Sequence, residues 1–281
     1  MSAALTYDVH VAPSIPTAIA DRPPGLDQRI WSPISSTLIS GERDAVLVDV
    51  PLTLAQTHTL TDWVVASGKN LTTVYVTHGH GDHWFGLATL LERFPEARAV
   101  AVAGVVEQMH RQVAPEFMEK FWNTRFPGQI PRRIVAAEVL DGDTIELESQ
   151  QLVPVELGHT DTDDTTCLHV PSIGLVVAGD AAYNDVHLYL AESPPAQRTA
   201  WGAALGTIAA LAPRAVVAGH KRDGRADAPT ILEETSRYLD DFEAACDATS
   251  STLELYQAML ALHPTRLNNG ALWGSARSAK G

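Results

Sequence analysis

Cysteine is scarce in this chain: two residues in 281, Cys167 and Cys246, with no Cys-x-x-Cys pair and too few for a disulfide framework. A reducing compartment fits that usage. Basic residues are also in short supply, with 20 Lys and Arg against 34 Asp and Glu and a formal charge of −14. Such a balance argues against a surface that grips a phosphate backbone, so no nucleic-acid partner is expected. No apolar run approaches the roughly 18 residues of a membrane-crossing helix. The N-terminal MSAALTYDVHVAPSIPTAIADRPPG lacks the basic start and apolar stretch of a secretory leader, so a cytoplasmic protein with no membrane partner is expected. Charged residues make up 19% and apolar residues 45%, enough to bury a large core.

What is present alternates. AVLVDV at 45–50 and LTTVYV at 71–76 read as buried strands, with a helix of apolar spacing at 53–67 between them. A helix near 86–94, a strand at 99–103 and a long aromatic-rich helical region over 104–125 follow. Strands are expected at 134–139, 143–148, 151–157, 165–170, 174–178 and 214–218, and helices at 197–211, 228–246 and 251–262. The C-terminal NNGALWGSARSAKG is small and polar and reads as a loose tail. Two groups of strands with helices interleaved suggest two packed sheets covered by helices, an α/β sandwich. No linker cuts the chain, which reads as a single domain over 1–281, with a helical insertion at about 104–133 and C-terminal helices at about 228–262.

The chemistry concentrates after the second strand. Thr77-His78-Gly79-His80-Gly81-Asp82-His83 packs three imidazoles and a carboxylate into six positions. These are the ligand types of borderline metals such as zinc, and Gly79 and Gly81 leave the backbone free to turn the side chains inward. One metal rarely needs so many. Three more ligand-type residues close apolar runs: His159 in Leu157-Gly158-His159-Thr160, Asp180 after Val176-Val177-Ala178-Gly179, and His220 after Val216-Val217-Ala218-Gly219.

Together these four motifs resemble, in kind and order, those of the metallo-β-lactamase superfamily, and the resemblance spans about 40–225. It implies a four-layer αβ/βα sandwich with two divalent ions, zinc first and iron or manganese as alternatives. By the same resemblance His78, His80 and His159 hold the first ion and Asp82, His83 and His220 the second, with Asp180 between them. A shared water would then be acidified to a hydroxide, with Asp82 orienting it and carrying its proton onward. Tyr183, three residues past Asp180, stands at an offset similar to that of a tyrosine that points at the substrate carbonyl in lactonases of the superfamily. An oxyanion-donor role there stands beside a packing role.

The remaining candidates are weaker. His187 reads as a surface or capped residue before a pocket-lining one, and His10, His58, His110, His169 and His263 as structural. Asp161, Asp163 and Asp164 read as turn residues, one of them a hydrogen-bond partner for an imidazole. Lys221, Arg222 and Arg225 offer a subsite for a substrate carboxylate, or are simply loop cations. Phe117, Met118, Phe121 and Trp122 read as core, beside a second reading as a roof over the site or a homodimer face. The expected function is a metal-dependent hydrolase of a small-molecule carbonyl substrate, lactone or ester before thioester or β-lactam. A phosphodiesterase or nuclease and an iron-dependent non-hydrolytic protein are the alternatives from other classes.

Overall fold

The β-branched runs pair into two sheets in the computed structural model, which describes residues 4–281; positions 1–3 of the expected domain lie outside the described residues. The first sheet follows chain order: β1 (Thr6–Ala12), β2 (Ile34–Ser40), β3 (Asp44–Val48), β4 (Asn70–Tyr75), β5 (Arg98–Ala101) and β6 (Glu138–Val139). Its first two pairings are antiparallel and the rest parallel. The second sheet holds β7 (Ile145–Leu147), β8 (Gln150–Gly158), β9 (Thr165–Val170), β10 (Leu175–Asn184) and β11 (Ala215–Lys221), also side by side in chain order. Within it β10 and β11 run parallel.

Three apolar layers hold the sheets and helices together. Ile39, Val46, Val48 and Tyr75 of the first sheet meet Leu152, Leu168, Val177 and Val217 of the second in a shared inner core. The outer face of the first sheet is covered by α1 (Leu54–Ala66), α2 (Leu87–Arg93) and α3 (Ala103–Gln112) through Leu60, Val64, Leu90 and Val105. The second is covered by α4 (Pro195–Ala210), α5 (Ile231–Ala248), α6 (Thr252–Leu262) and α7 (Asn269–Lys280) through Trp201, Tyr238, Phe242 and Leu272. This is the four-layer αβ/βα sandwich. Among the described residues no helix is long and apolar enough to cross a membrane.

Several expectations change. The helical region over 104–125 breaks after α3: Pro115 starts a new turn, a wide turn spans Met118–Trp122, and Asn123–Arg125 closes it. Of the strand expected at 134–139, the last two residues pair. The C-terminal tail is not loose. Asn268 caps α7 by accepting from the Ala271 N–H at 3.0 Å, and Leu272 and Ala276 are fully buried. Gly270 and Gly274 let α7 lie against Arg29, where a Cβ would stand 2.8 Å from the Arg29 side chain. Small residues that look like linker composition are here a packing face.

Candidate metal centre

The loop after β4 carries the His-rich segment, and Gly81–His83 form a single turn of 3₁₀ helix that turns Asp82 and His83 inward. Both glycines serve by size. A Cβ on Gly79 would lie 2.3 Å from Gln108 Cβ, and one on Gly81 2.4 Å from the Phe85 ring. Neither adopts a positive φ, so close packing replaces the expected freedom to turn.

The first cluster joins His78, His80 and Asp161. Asp161 Oδ2 lies 2.7 Å from His80 Nδ1 and 3.8 Å from His78 Nε2, and Asp161 is fully buried. The motif predicts His159 in that place, but the structure does not bring it there. Its Nδ1 faces Asp163 Oδ1 at 2.6 Å and its Nε2 faces Ser193 Oγ at 3.0 Å. The reason is local: β8 ends at Gly158 with φ +73°, and the Thr160 N–H to Thr162 carbonyl bond (2.9 Å) closes a tight turn. That turn sends His159 sideways and Asp161 inward. Asp163 is the partner of an imidazole, and Asp161, at the centre of the turn, joins the first cluster as well.

The second cluster joins Asp82, His83 and His220. Asp180 stands between the two imidazoles, with Oδ1 3.3 Å from His83 Nε2 and Oδ2 3.0 Å from His220 Nε2. A register skip between β10 and β11 creates this placement, because Gly179 pairs with Ala218 while Tyr183 pairs with His220. The strand bulges at Asp180. A Cβ on Gly219 would stand 2.1 Å from Asp180 Oδ1, so glycine is needed there for space. The clusters adjoin, with the His78 and His83 ring centroids 4.3 Å apart.

Hydrogen bonds fix each imidazole from behind. His78 Nδ1 faces Thr77 Oγ1 at 3.0 Å, His83 Nδ1 faces Asp49 Oδ2 at 2.9 Å, and His220 Nδ1 faces the Pro33 carbonyl at 2.7 Å. His80 turns Nδ1 inward and Nε2 toward Glu192. Such outer partners set the tautomer and direct the remaining nitrogen to the site. On the inner side, four buried atoms converge without a well-formed hydrogen bond among the described residues, His78 Nε2, His83 Nε2, Asp161 Oδ2 and Asp180 Oδ1, the two carboxylate oxygens facing only His80 Nδ1 at 2.7 Å and His83 Nε2 at 3.3 Å. Buried polar atoms left unpaired are costly, and their convergence fits a cation that would satisfy them. His159, with both nitrogens engaged, offers no such atom.

The electrostatics agree. Burial lowers the pKa of His78, and the neighbouring His83 lowers it further. Burial opposes charge on His83 too, but Asp180, Asp82 and Asp49 outweigh it and raise its pKa to about 10. Burial likewise opposes the charge on Asp180, yet His220 and His83 hold its carboxyl well below the usual range. The attraction that favours a proton on these imidazoles favours a metal cation in the same place.

The superfamily profile described as metallo-beta-lactamase matches residues 29–220, a span that contains both clusters. The chain belongs to the metallo-beta-lactamase superfamily. Solved structures share the fold: a metallo-beta-lactamase family protein from Thermus thermophilus aligns with 20% identity over 96% of this chain and 91% of its own, at a TM-score of 0.62. A metallo-beta-lactamase from Pontibacter korlensis aligns with 16% identity over 86% and 97%, at a TM-score of 0.60. One from Erythrobacter litoralis aligns with 21% identity over 74% and 86%, at a TM-score of 0.53. No curated protein sequence matches the chain.

In this superfamily member the clusters lie beneath a pocket of about 390 Å³. Asp82, Asp161, Asp180, Tyr183 and His220 reach its surface, and Trp31, Phe117, Phe121, Trp122 and Tyr189 form an aromatic wall. The helical insertion therefore faces the pocket. The Tyr183 hydroxyl donates to Asp180 Oδ2 at 2.8 Å, which ties it to the carboxylate. Burial and the Asp180 charge hold its phenol protonated, well above its usual pKa. His187 is fully buried rather than surface-placed, facing Tyr238 Oη at 3.0 Å. Lys221 pairs with Asp227 and Arg222 with Asp185, so neither is a loose loop cation.

The sequence reading missed four contributors. Asp49 accepts from the Thr77 N–H and hydroxyl while facing His83; its signal is the lone carboxylate within the apolar run AVLVDV. Trp31 donates its indole N–H to Asp82 Oδ2 at 2.8 Å. Glu192 backs His80, and Arg125 reaches the pocket from the insertion. Those three carry no motif.

Proposed function

We propose that this chain is a dinuclear metal-dependent hydrolase of a small carbonyl substrate, an ester or lactone. The observation that carries the reading is the convergence of four buried ligand-type atoms, His78 Nε2, His83 Nε2, Asp161 Oδ2 and Asp180 Oδ1, beneath an aromatic pocket. His78, His80 and Asp161 would hold the first ion and Asp82, His83 and His220 the second, with Asp180 serving both. A carboxylate in place of a third imidazole makes the first set harder, so iron(II) or manganese(II) competes there with zinc. When bound, the ions supply a water acidified toward neutrality and a Lewis acid for the substrate oxygen.

The chain's own groups do the rest. Asp82, held by the Trp31 indole, orients the attacking water and takes its proton. Tyr183 fixes the orientation of Asp180 rather than approaching the substrate carbonyl. The aromatic wall holds the apolar part of the substrate and excludes bulk water. A chain of net charge −14 repels long phosphodiesters, which supports a carbonyl substrate.

The test is a substrate panel of lactones, oxygen esters, thioesters, β-lactams and bis-p-nitrophenyl phosphate, run on protein of measured metal content. Turnover is expected to be highest on an oxygen ester or lactone, with two ions per chain. Faster turnover of the phosphodiester than of every carbonyl substrate, or no turnover at full metal content, would sink the proposal.

A further inference from the structure

The charged lining of the pocket holds cations as well as carboxylates. Three arginines, Arg29, Arg125 and Arg277, line it together with Asp21. The Asp21 carboxylate is fully committed: Oδ2 takes Arg29 Nη1 at 3.0 Å and Arg277 Nη1 at 2.7 Å, and Oδ1 accepts from the Trp273 indole at 3.0 Å. Glu192 faces His80, Thr162 and Tyr189. The remaining side-chain carboxylates of the pocket, Asp82, Asp161 and Asp180, lie at the candidate metal centre below.

Among the described residues Arg125 has no direct ion-pair partner. Its guanidinium lies 3.6 Å from the Phe121 ring centroid and donates one hydrogen bond, to the Phe121 carbonyl at 2.9 Å. Among the described residues it forms no ion pair with a carboxylate. A guanidinium carries five N–H donors in a planar fork, so most of this one's donors have no partner of opposite charge. Partial burial and the nearby Arg29 charge work against the cation and outweigh smaller favourable contributions from Tyr189 and Asp21. Arg29 itself cannot swing to relieve the repulsion, because it is pressed against Gly270 and Gly274 of α7 and bound to Asp21. A partly buried cation held in this way beside an aromatic wall is costly unless something of opposite charge completes it.

We infer that the substrate carries a carboxylate on an apolar or aromatic body, and that Arg125 is the residue that binds this carboxylate while the reacting carbonyl faces the clusters. The inference rests on the hydrolase reading for the reacting end. A carboxylate suits the guanidinium fork, which it can engage through two parallel hydrogen bonds. The stacked Phe117 and Phe121 rings, 5.0 Å apart at their centroids, and Trp31 supply the surface for the body that links the two ends.

The experiment reads binding rather than turnover. Full-length, zinc-loaded protein is titrated calorimetrically with 4-phenylbutyrate and with its neutral isostere 4-phenylbutyramide, in the wild type, Arg125→Gln and Arg125→Lys. The wild type is expected to prefer the acid by roughly 10- to 100-fold, the range of a hydrogen bond to a charged group. In Arg125→Gln that ratio should fall to near one, and in Arg125→Lys it should keep an intermediate value. The lysine variant retains the cation and serves if the glutamine variant melts early. Equal wild-type affinities, no binding of either probe, or an acid preference that survives Arg125→Gln because the ions alone hold the carboxylate would each overturn the inference. Because no hydrolysis is read, failure of every ester in the panel would remove the hydrolase reading while leaving this result to stand or fall separately.

Discussion

Asp161 Oδ2 lies 2.7 Å from His80 Nδ1, in the position where the chain's own sequence motif would have put the imidazole of His159. The two residues differ in what they face: Asp161 turns a buried oxygen toward His80 and His78, and His159 has both nitrogens engaged by Asp163 and Ser193. Asp161→Ala is therefore expected to lower the affinity for the first ion by about 100-fold or more, since it removes a ligand rather than a supporting partner. His159→Ala should retain two ions per chain. Elemental analysis with competitive chelator titration separates the two. A normal stoichiometry in Asp161→Ala together with loss of an ion in His159→Ala would restore the histidine to the site.

Tyr183 is bonded to Asp180, the carboxylate proposed to serve both ions, so its removal should act through that carboxylate. Tyr183→Phe keeps the ring and loses the hydrogen bond to Asp180 Oδ2. The expected result is a metal affinity lowered by about 10- to 100-fold, with activity largely recovered at excess metal. A hydroxyl acting on the substrate oxyanion predicts the contrary pattern, in which kcat falls at full metal content and added metal restores nothing.

His187 supplies a pH dependence remote from the clusters. Burial, with Arg266 and His263 adding positive charge nearby, lowers its pKa from 6.5 to about 3. The unfolded chain then binds a proton at this residue below pH 6.5 while the folded chain does not, so stability falls as pH drops from 6.5 toward 3. The loss attributable to His187 is roughly 2 kcal/mol at pH 5. His187→Gln removes this titration while keeping a polar partner for Tyr238. The melting temperature of the variant should decline less steeply than that of the wild type between pH 7 and pH 5. Parallel curves would assign the acid sensitivity to other groups.

Much of the site was readable because its residues close apolar runs. His78, His80, Asp82 and His83 follow β4, Asp180 sits on the bulge of β10 and His220 lies on β11, each introduced by the β-branched residues that make the strand. The His159-to-Asp161 exchange was not readable. Which side chain of a three-residue turn points inward depends on the φ of Gly158 and on a backbone bond between Thr160 and Thr162, and spacing records neither. Arg29, Arg125 and Arg277 were invisible for a different reason: they come from the segment before β2, the insertion and the last helix, and meet only when the chain is folded. Helix α7 was hidden by its composition, since the Gly270 and Gly274 that lower helix propensity are the residues that admit Arg29.

Both clusters take their side chains from both sheets: His78, His80, Asp82 and His83 come from the first, and Asp161, Asp180 and His220 from the second. A cation seated there would act as a cross-link between the two halves of the sandwich, joining segments far apart in the chain. Its dissociation and the parting of the sheets would be linked equilibria, with an occupancy at 1,000 times the dissociation constant adding about 4 kcal/mol to the folded state. Chelation would then reach beyond the chemistry of the pocket, lowering the temperature at which the Val46–Val177 interior gives way and exposing to proteases a molecule that saturating metal would keep closed.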